Sequence, residues 1–358
     1  MKIALIISGN LFMAPYLELY LNFLNKSNLE YDVISWNRKL INEPVSISYN
    51  SSQTDKKGYV FRLYSYLGYR KFVIDNLRKN NYDKVYVSTI AIAVLLYPYL
   101  KKNYYQRYLF DIRDYSIILK FTSKIFKRLV DNSAATVISS AGFRLWLPRS
   151  SKYIVTHNFP FKISARKIQS FSNGNDFDQN SDALEIATIG SFRDYNACKT
   201  IMNAFKNCEP YILNFIGSGP VYEPLRQYAA KNKIQNILFY GQYNKEEEID
   251  LLKNASFINN FTSNDLNSRT LVTNRFYLSA VLGIPMIVRS GTHQASICAE
   301  YNLGCIVQPE KDIKVQLVNY VNSFNKADFK AGCTRFLNEV ENDIANLETL
   351  MLNFVELS

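Results

Sequence analysis

The sequence predicts an α/β protein made of two doubly wound domains facing across a cleft. Three observations predict it. At 358 residues the chain exceeds one ordinary domain and suits two, each able to bury its own core. Short apolar, β-branched runs alternate with helical patterns along most of its length. One polar segment, "RKIQSFSNGNDFDQNSDA" (166–183), interrupts the alternation and reads as a linker.

The elements follow in order. "KIALIIS" is a first strand and a helix runs from about Pro15 to Lys26, followed by "YDVISW", a helix over "YVFRLYSYLGYRKFVIDNLRK", "DKVYVS", "RYLFDIRD", "AATVISS" and "KYIVTHN". These strands are continuously apolar, the pattern of a parallel sheet covered by helices on both faces. "STIAIAVLLYPYL" (88–100) is too short to cross a bilayer and contains Pro98, so a buried helix is expected. Beyond the linker come "LEIATIGSF", a helix over "YNACKTIMNAFKN", "YILNFIGSG", a helix over "VYEPLRQYAAKN", "NILFYG", a helix over "NKEEEIDLLKNA" and "SFINNF". "TNRFYLSAVLGIPMIV" (273–288) is then a helix that starts on polar residues, stops at Gly283 and leads into a strand, with "GCIVQP" as the last strand and a long amphipathic helix at the end. The boundaries fall at 1–162 for an N-terminal Rossmann-like domain, 163–183 for the linker, 184–335 for a C-terminal Rossmann-like domain and 336–358 for the final helix.

Composition narrows the function. Hydrophobic residues at 47% and charged residues at 20% describe a globular chain rather than a disordered one. The net charge of +11 favours anionic partners, phosphates or an acidic bilayer. Nucleic acid is not the expected partner, because no zinc spacing, RNP-like motif or long basic stretch occurs. Basic residues instead cluster with aromatics in "YLGYRKFVIDNLRKNN" (66–81), "YLKKNYYQRY" (99–108) and "FTSKIFKRL" (121–129). These read either as solvated helix faces or as a surface for an anionic membrane, where each basic residue contributes about 1 kcal/mol. Five cysteines with no C-x-x-C pair argue against a disulfide framework and for a reducing cytoplasm. "MKIALIISGN" carries no cleavage site and too little apolar length for a span. No metal is expected: the one D-x-D pair, Asp176 and Asp178, lies in the linker.

In open α/β sheets ligands sit at the carboxyl ends of the strands, so the candidates are sought there. Gly190 and Ser191, then Gly217, Ser218 and Gly219, then Gly241 end three strands of the second half. Glycine in such a turn lets backbone N–H groups approach a phosphate, although a tight turn without ligand looks the same. Thr273, Asn274 and Arg275 open the helix quoted above. In the first half Ser8, Gly9 and Asn10 follow the first strand, and "DIRD" places Asp111, Arg113 and Asp114 at another strand end. A carboxylate there either accepts the proton of a hydroxyl or pairs internally with Arg113. His157 ends the last strand of this half, as a site group or a structural histidine, and His293 lies in a loop of the second half.

The runs "IATIGSFRDYNACKTIMNAF", "LNFIGSGPVYEPLRQYA", "ILFYGQYNKEEEIDLLKNA" and "NRFYLSAVLGIPMIVRSGTHQASICAEYNLGCIV" resemble the donor half of GT-B glycosyltransferases, including those that build bacterial capsule and other surface polysaccharides. "DIRDYS", "ATVISSAGFRLWLP" and "IVTHN" make the first half similar too. The resemblance implies transfer of a sugar from a nucleotide-diphosphate donor to a lipid-linked glycan on the cytoplasmic face of the plasma membrane, with no cofactor and no metal. It implies a donor set of Gly190, Ser191, Arg193, Gly217, Ser218, Thr273, Asn274, Arg275 and His293. It likewise implies an acceptor set of Ser8, Gly9, Asn10 and Arg113, with Asp111, Asp114 and His157 as catalytic candidates. Many members carry two glutamates where this chain has Thr270 and Leu278, which leaves Ser279, Asn267 or a backbone group for the ribose and points to a subfamily difference. Two alternatives share the architecture. A nucleotide-sugar 2-epimerase would need acidic and histidine groups that this chain lacks, and a non-catalytic GT-B partner is motivated by Leu278.

Overall fold

A computed structural model describes residues 1–52, 59–158 and 183–356. The linker segment 163–183, with Asp176 and Asp178, lies outside the described residues apart from Ala183. The chain divides into two units: residues 1–158 with 342–356, and 183–341.

The first unit is built of β1 (Lys2–Ile7), α1 (Leu17–Lys26), β2 (Glu30–Asn37), β3 (Ile47–Asn50), α2 (Tyr59–Asn80), β4 (Lys84–Ser88), α3 (Ile90–Asn103), β5 (Tyr108–Ile112), α4 (Leu119–Asp131), β6 (Ala135–Ile138) and β7 (Tyr153–Val155). Among the described residues its sheet is parallel, in the order β3-β2-β1-β4-β5-β6-β7. The chain order reverses between β1 and β4, where Leu5 pairs with Tyr86, so the crevice at that switch point is the natural ligand position. β4, β5 and β6 are buried along their full length, which is why their sequences are continuously apolar. β3 was not foreseen, because "ISYN" is short and half-exposed at the sheet edge and so carries no apolar run. α3 continues through Pro98 to Asn103 as the expected buried helix.

The second unit contains β8 (Leu184–Ile189), α5 (Tyr195–Phe205), β9 (Tyr211–Ile216), α6 (Tyr222–Lys231), β10 (Ile237–Gly241), α7 (Glu248–Leu252), β11 (Phe257–Asn259), α8 (Leu266–Thr270), α9 (Asn274–Leu282), β12 (Met286–Arg289), α10 (His293–Tyr301), β13 (Gly304–Val307), α11 (Ile313–Asn322) and α12 (Lys326–Glu356). Its parallel sheet runs β10-β9-β8-β11-β12-β13, with the reversal between β8 and β11. α9 ends where the sequence predicts, because Gly283 takes the left-handed conformation (φ 64°) that closes a helix cheaply only with glycine.

α12 starts ten residues before the expected 336. Gly332 weakens the helical signal there, yet a Cβ at that position would meet the Tyr301 carbonyl oxygen at 1.7 Å, so close backbone contact requires glycine. The last turns of α12 belong to the first unit: Leu347, Met351 and Phe354 recur every three or four residues and pack in one core with Ile3, Leu5, Tyr20 and Leu109. Lys84 donates to the Phe354 carbonyl. None of the helices, over the described residues, is long and apolar enough to cross a membrane.

Leu347→Ala removes a side chain that is 2% exposed from this core. A loss of about 2–5 kcal/mol is expected, read as a lower urea midpoint at unchanged slope.

Candidate functional site

In the second unit three adjacent strands, β10, β9 and β8, end at one pocket of about 300 Å³ lined by Gly190, Ser191, Gly217, Ser218, Gly219, Gln242, Tyr243 and Lys245. The glycines serve two different purposes. At Gly217 a Cβ would lie 2.0 Å from the Gly190 carbonyl oxygen, and at Gly219 it would lie 2.5 Å from that of Phe192, so these two let the β8 and β9 loops touch. Gly190 has open space around its Cβ position but a φ of +102°, so its backbone bends where a side chain would be strained and leaves the pocket floor clear. Ser191 and Arg193 are exposed, with Arg193 Nε 3.3 Å from Ser191 Oγ. Between them Phe192 is buried against Phe215 and Tyr222, which anchors the loop.

The start of α9 is unusual in how its cap residue is used. Thr273 holds the N-cap position, yet its hydroxyl does not bond the helix. It lies 2.8 Å from Asn260 Oδ1, and the Thr273 N–H donates to Gln294 Oε1 at 3.0 Å. Asn260 and Gln294 are fully buried, so the helix start is clamped from beneath. The amides of Asn274 and Arg275 are left without a side-chain acceptor among the described residues, and their partial positive charge faces outward. α5, α8, α10 and α11 are capped by Asp194, Asp265, Thr292 and Asp312, whereas α6 and α7, like α9, have no side-chain cap.

Arg275 adds a full charge. It is half-buried, and burial pulls its guanidinium below its ordinary value, though not far enough to neutralise it. Its field reaches Cys198, Asp194 and Tyr243, the last a pocket wall. No carboxylate lies within salt-bridge distance of it among the described residues; Asp194 is occupied by the Ala197 and Ser263 amides, each at 2.9 Å. Burial pushes the Cys198 thiol up to about 11, so it is no competing anion. A partly desolvated cation with no carboxylate in ion-pair contact, beside helix-start amides, is a candidate site for a bound anion.

Sequence reasoning missed part of this wall. "KEEEIDLL" reads as a solvated charge run, yet Glu248 is buried, accepts from Tyr243 at 2.9 Å and pairs with Lys245. Burial and Glu248 hold the Tyr243 phenol above its ordinary value, so it remains a neutral donor. Gly241, which precedes these residues at the end of β10, was the available signal. The two positions expected to carry acids are closed: Leu278 is buried with Ile189, Ile216 and Ile258, and the Thr270 hydroxyl bonds the Leu266 carbonyl inside α8. Ser279 is spent on the Arg275 carbonyl. His293 opens α10, half-buried, just after Thr292, which caps the helix through the Ala295 amide.

The first-unit candidates separate into buried and open groups. Asp111 is fully buried and its Oδ2 accepts from Tyr20 (2.9 Å), Tyr86 (2.6 Å) and Arg113, so a substrate hydroxyl does not reach it, against its expected role as a catalytic group. Arg113 forms the internal pair. Burial alone would lower its guanidinium, but Asp111 outweighs that and holds it above its ordinary value, with Asn158 at 3.0 Å and the Tyr16 ring at 4.1 Å completing its surroundings. The side chain is buried and held by that pair, with its Nε left without a hydrogen-bond partner. Asn10 is likewise consumed by Asn37, Glu43 and the Lys39 amide, and Ser8 by Thr89 at 2.7 Å. His157 Nε2 is 2.8 Å from Asp343 of α12, a contact that fits either of its two readings. Nothing lies within 4 Å of the Cβ position of Gly9, and Asp114 is exposed. Beside Ser8 at the β1/β4 switch point, Thr89 takes φ 71°, ψ 139°, a strain of order 1–3 kcal/mol of the kind that gathers at functional positions. Among the described residues no group of three His, Cys, Asp or Glu could hold a metal ion.

Solved structures match this arrangement over the whole chain. Sucrose-phosphate synthase from Thermosynechococcus elongatus superposes with a TM-score of 0.72 at 12% identity, covering 100% of both chains. The fold is GT-B. Two further GT-B structures are the lipopolysaccharide outer core galactosyltransferase WaaB in its apo form (TM-score 0.64, 14% identity, 99% of each chain) and Anabaena HepE in complex with UDP and glucose (0.65, 11%, 99% of each chain). No family model matches, and no curated protein matches by sequence. Within the GT-B fold the pocket found here lies at the carboxyl ends of the second unit's strands, beside its switch point.

Gly217→Ala places a Cβ against the Gly190 carbonyl at φ +133° and is expected to cost more than about 1 kcal/mol. Gly9→Ala, with nothing within 4 Å, is expected to stay within about 0.5 kcal/mol of wild type, both read from urea midpoints.

Proposed function

We propose that this chain is a glycosyltransferase that moves a sugar from a nucleotide-diphosphate donor to a lipid-linked glycan at the inner face of a bacterial membrane, without a bound metal. The observation that carries the reading is Arg275, a partly desolvated cation with no carboxylate partner among the described residues, at a helix start whose amides are left open. The diphosphate is assigned to the glycine loops after β8 and β9 with Lys245 in the pocket wall, and Arg275, whose charge is felt by the wall residue Tyr243, and the exposed Arg193 are assigned to it as well. As the bond between sugar and diphosphate breaks, charge grows on the leaving group, and donors already fixed in place stabilise it without reorganising. The acceptor is assigned to the strand ends of the first unit, beside Gly9 and the exposed Asp114. Asp114 is the carboxylate proposed to take the hydroxyl proton.

The membrane part of the reading rests on α4 and the turn before it. Ile117, Phe121 and Ile125 are spaced four apart and are 62%, 85% and 40% exposed, with Lys120, Lys124 and Lys127 between and beside them. An apolar stripe turned to solvent among lysines fits the interface of an anionic bilayer.

Incubation with UDP-, GDP-, CMP- and dTDP-sugars tests the activity: transfer or slow hydrolysis of one donor is expected, and an isomerised donor, or no binding of any, would refute it. Arg275→Ala is expected to weaken binding of the matching nucleotide about 10–100-fold by calorimetry, the loss of a charged hydrogen bond worth about 1.5–3 kcal/mol. Phe121→Ser with Ile125→Ser is expected to lower binding to phosphatidylglycerol vesicles at least about tenfold, since each buried side chain contributes about 1.5–3 kcal/mol. Unchanged vesicle sedimentation would remove the membrane surface while leaving the transferase reading intact.

A further inference from the structure

A second basic cavity, unconnected with the strand ends, lies on the first unit between α2 and α3. It measures about 600 Å³, and its walls include Arg70, Lys71, Asp75 and Arg78 of α2 and Tyr99 and Lys102 of α3. Arg70, Ile74 and Arg78 recur every four residues along one face of α2, with Lys71 and Asp75 in a parallel row beside them. Four cations against one carboxylate leave a net charge of +3 around the cavity, and among the described residues none of the four makes a salt bridge. Two guanidinium groups are already held in place. Arg70 Nε donates to the Leu95 carbonyl at 2.8 Å, and Arg78 stands 5.6 Å from the centre of the Tyr99 ring.

Ordinary explanations cover only part of this cluster. Arg78 and Lys102 sit in the last turns of their helices, where cations balance the partial negative charge of exposed carbonyls. Arg70 and Lys71 lie in the middle of α2, where that effect has faded. Solvated side chains on a convex helix face would enclose no cavity, whereas this volume falls within the range of small-molecule sites.

We propose that this cavity binds a phosphate-bearing anion. Arginine presents paired donors matched to phosphate oxygens, lysine adds charge, and the volume leaves room for the group esterified to the phosphate. α2 leads into β4 and α3 into β5, so Arg78 and Lys102 lie toward the amino ends of the strands. Gly9 and Asp114 follow the carboxyl ends. The cavity is thus separate from the acceptor edge, and the proposal stands whether or not the chain transfers sugars. The same chemistry is offered by a soluble phosphate ester and by a phospholipid headgroup.

The test is calorimetry on the full chain with glycerol 3-phosphate in one arm and short-chain phosphatidylglycerol below its micelle concentration in the other. Saturable binding is expected for at least one, and the tighter ligand names the source. Arg78→Gln with Lys102→Gln, two exposed positions on different helices, is expected to weaken it about tenfold or more, while Arg275→Ala leaves it unchanged. Lys71→Gln, also exposed, provides a milder single change, and circular dichroism melting confirms that each variant is folded. The proposal is overturned by no saturable binding in either arm, by equal affinity in the double variant, or by a loss that follows Arg275→Ala instead.

Discussion

The second unit depends on one clamp. Asn260, at the end of β11, and Gln294, in the first turn of α10, both take hold of Thr273. A threonine at an N-cap would ordinarily spend its hydroxyl on the helix it opens. Turned down into the protein, it leaves that helix uncapped and fixes where the free amides and Arg275 stand. The cost of an unfilled helix start is offset by buried, fully partnered amides beneath it, which is how a fold keeps a site both rigid and ready to accept charge.

The first unit shows the opposite arrangement. Tyr20, Tyr86 and Arg113 all converge on Asp111 Oδ2 beneath the strand ends, leaving Asp111 Oδ1 and Arg113 Nε without hydrogen-bond partners. Burial, and after it the Asp111 charge, raises both phenols well above their ordinary value, so they stay neutral donors to the one carboxylate. A cluster so closed positions the β5 loop rather than reacting. Beside the cluster at this edge lie the exposed Asp114 and the backbone at Gly9, with the strained Thr89 next to them.

Much of the fold was legible because burial writes directly into sequence. Strands covered on both faces must be apolar throughout, and Gly283 marks a helix end by its backbone alone. β3 was not legible, since an edge strand with half-exposed residues has no such constraint. Of the site, the glycine loops and the polar start of α9 could be read, because short-range geometry dictates them. Glu248 could not, since three successive glutamates look alike until packing turns one inward. Nor could the fate of Asp111 and Asn10, whose partners lie up to 91 and 33 residues away and are supplied only by the folded sheet.

The central claim is that the open amides of α9 and Arg275 receive a diphosphate. A crystal structure with bound UDP measures this most directly. The account predicts phosphate density within hydrogen-bond distance of the Asn274 or Arg275 amide and of the Arg275 guanidinium, above the Gly190 and Gly217 loops. Ordered UDP whose phosphates lie elsewhere, with Arg275 turned to a partner from the protein itself, would contradict it.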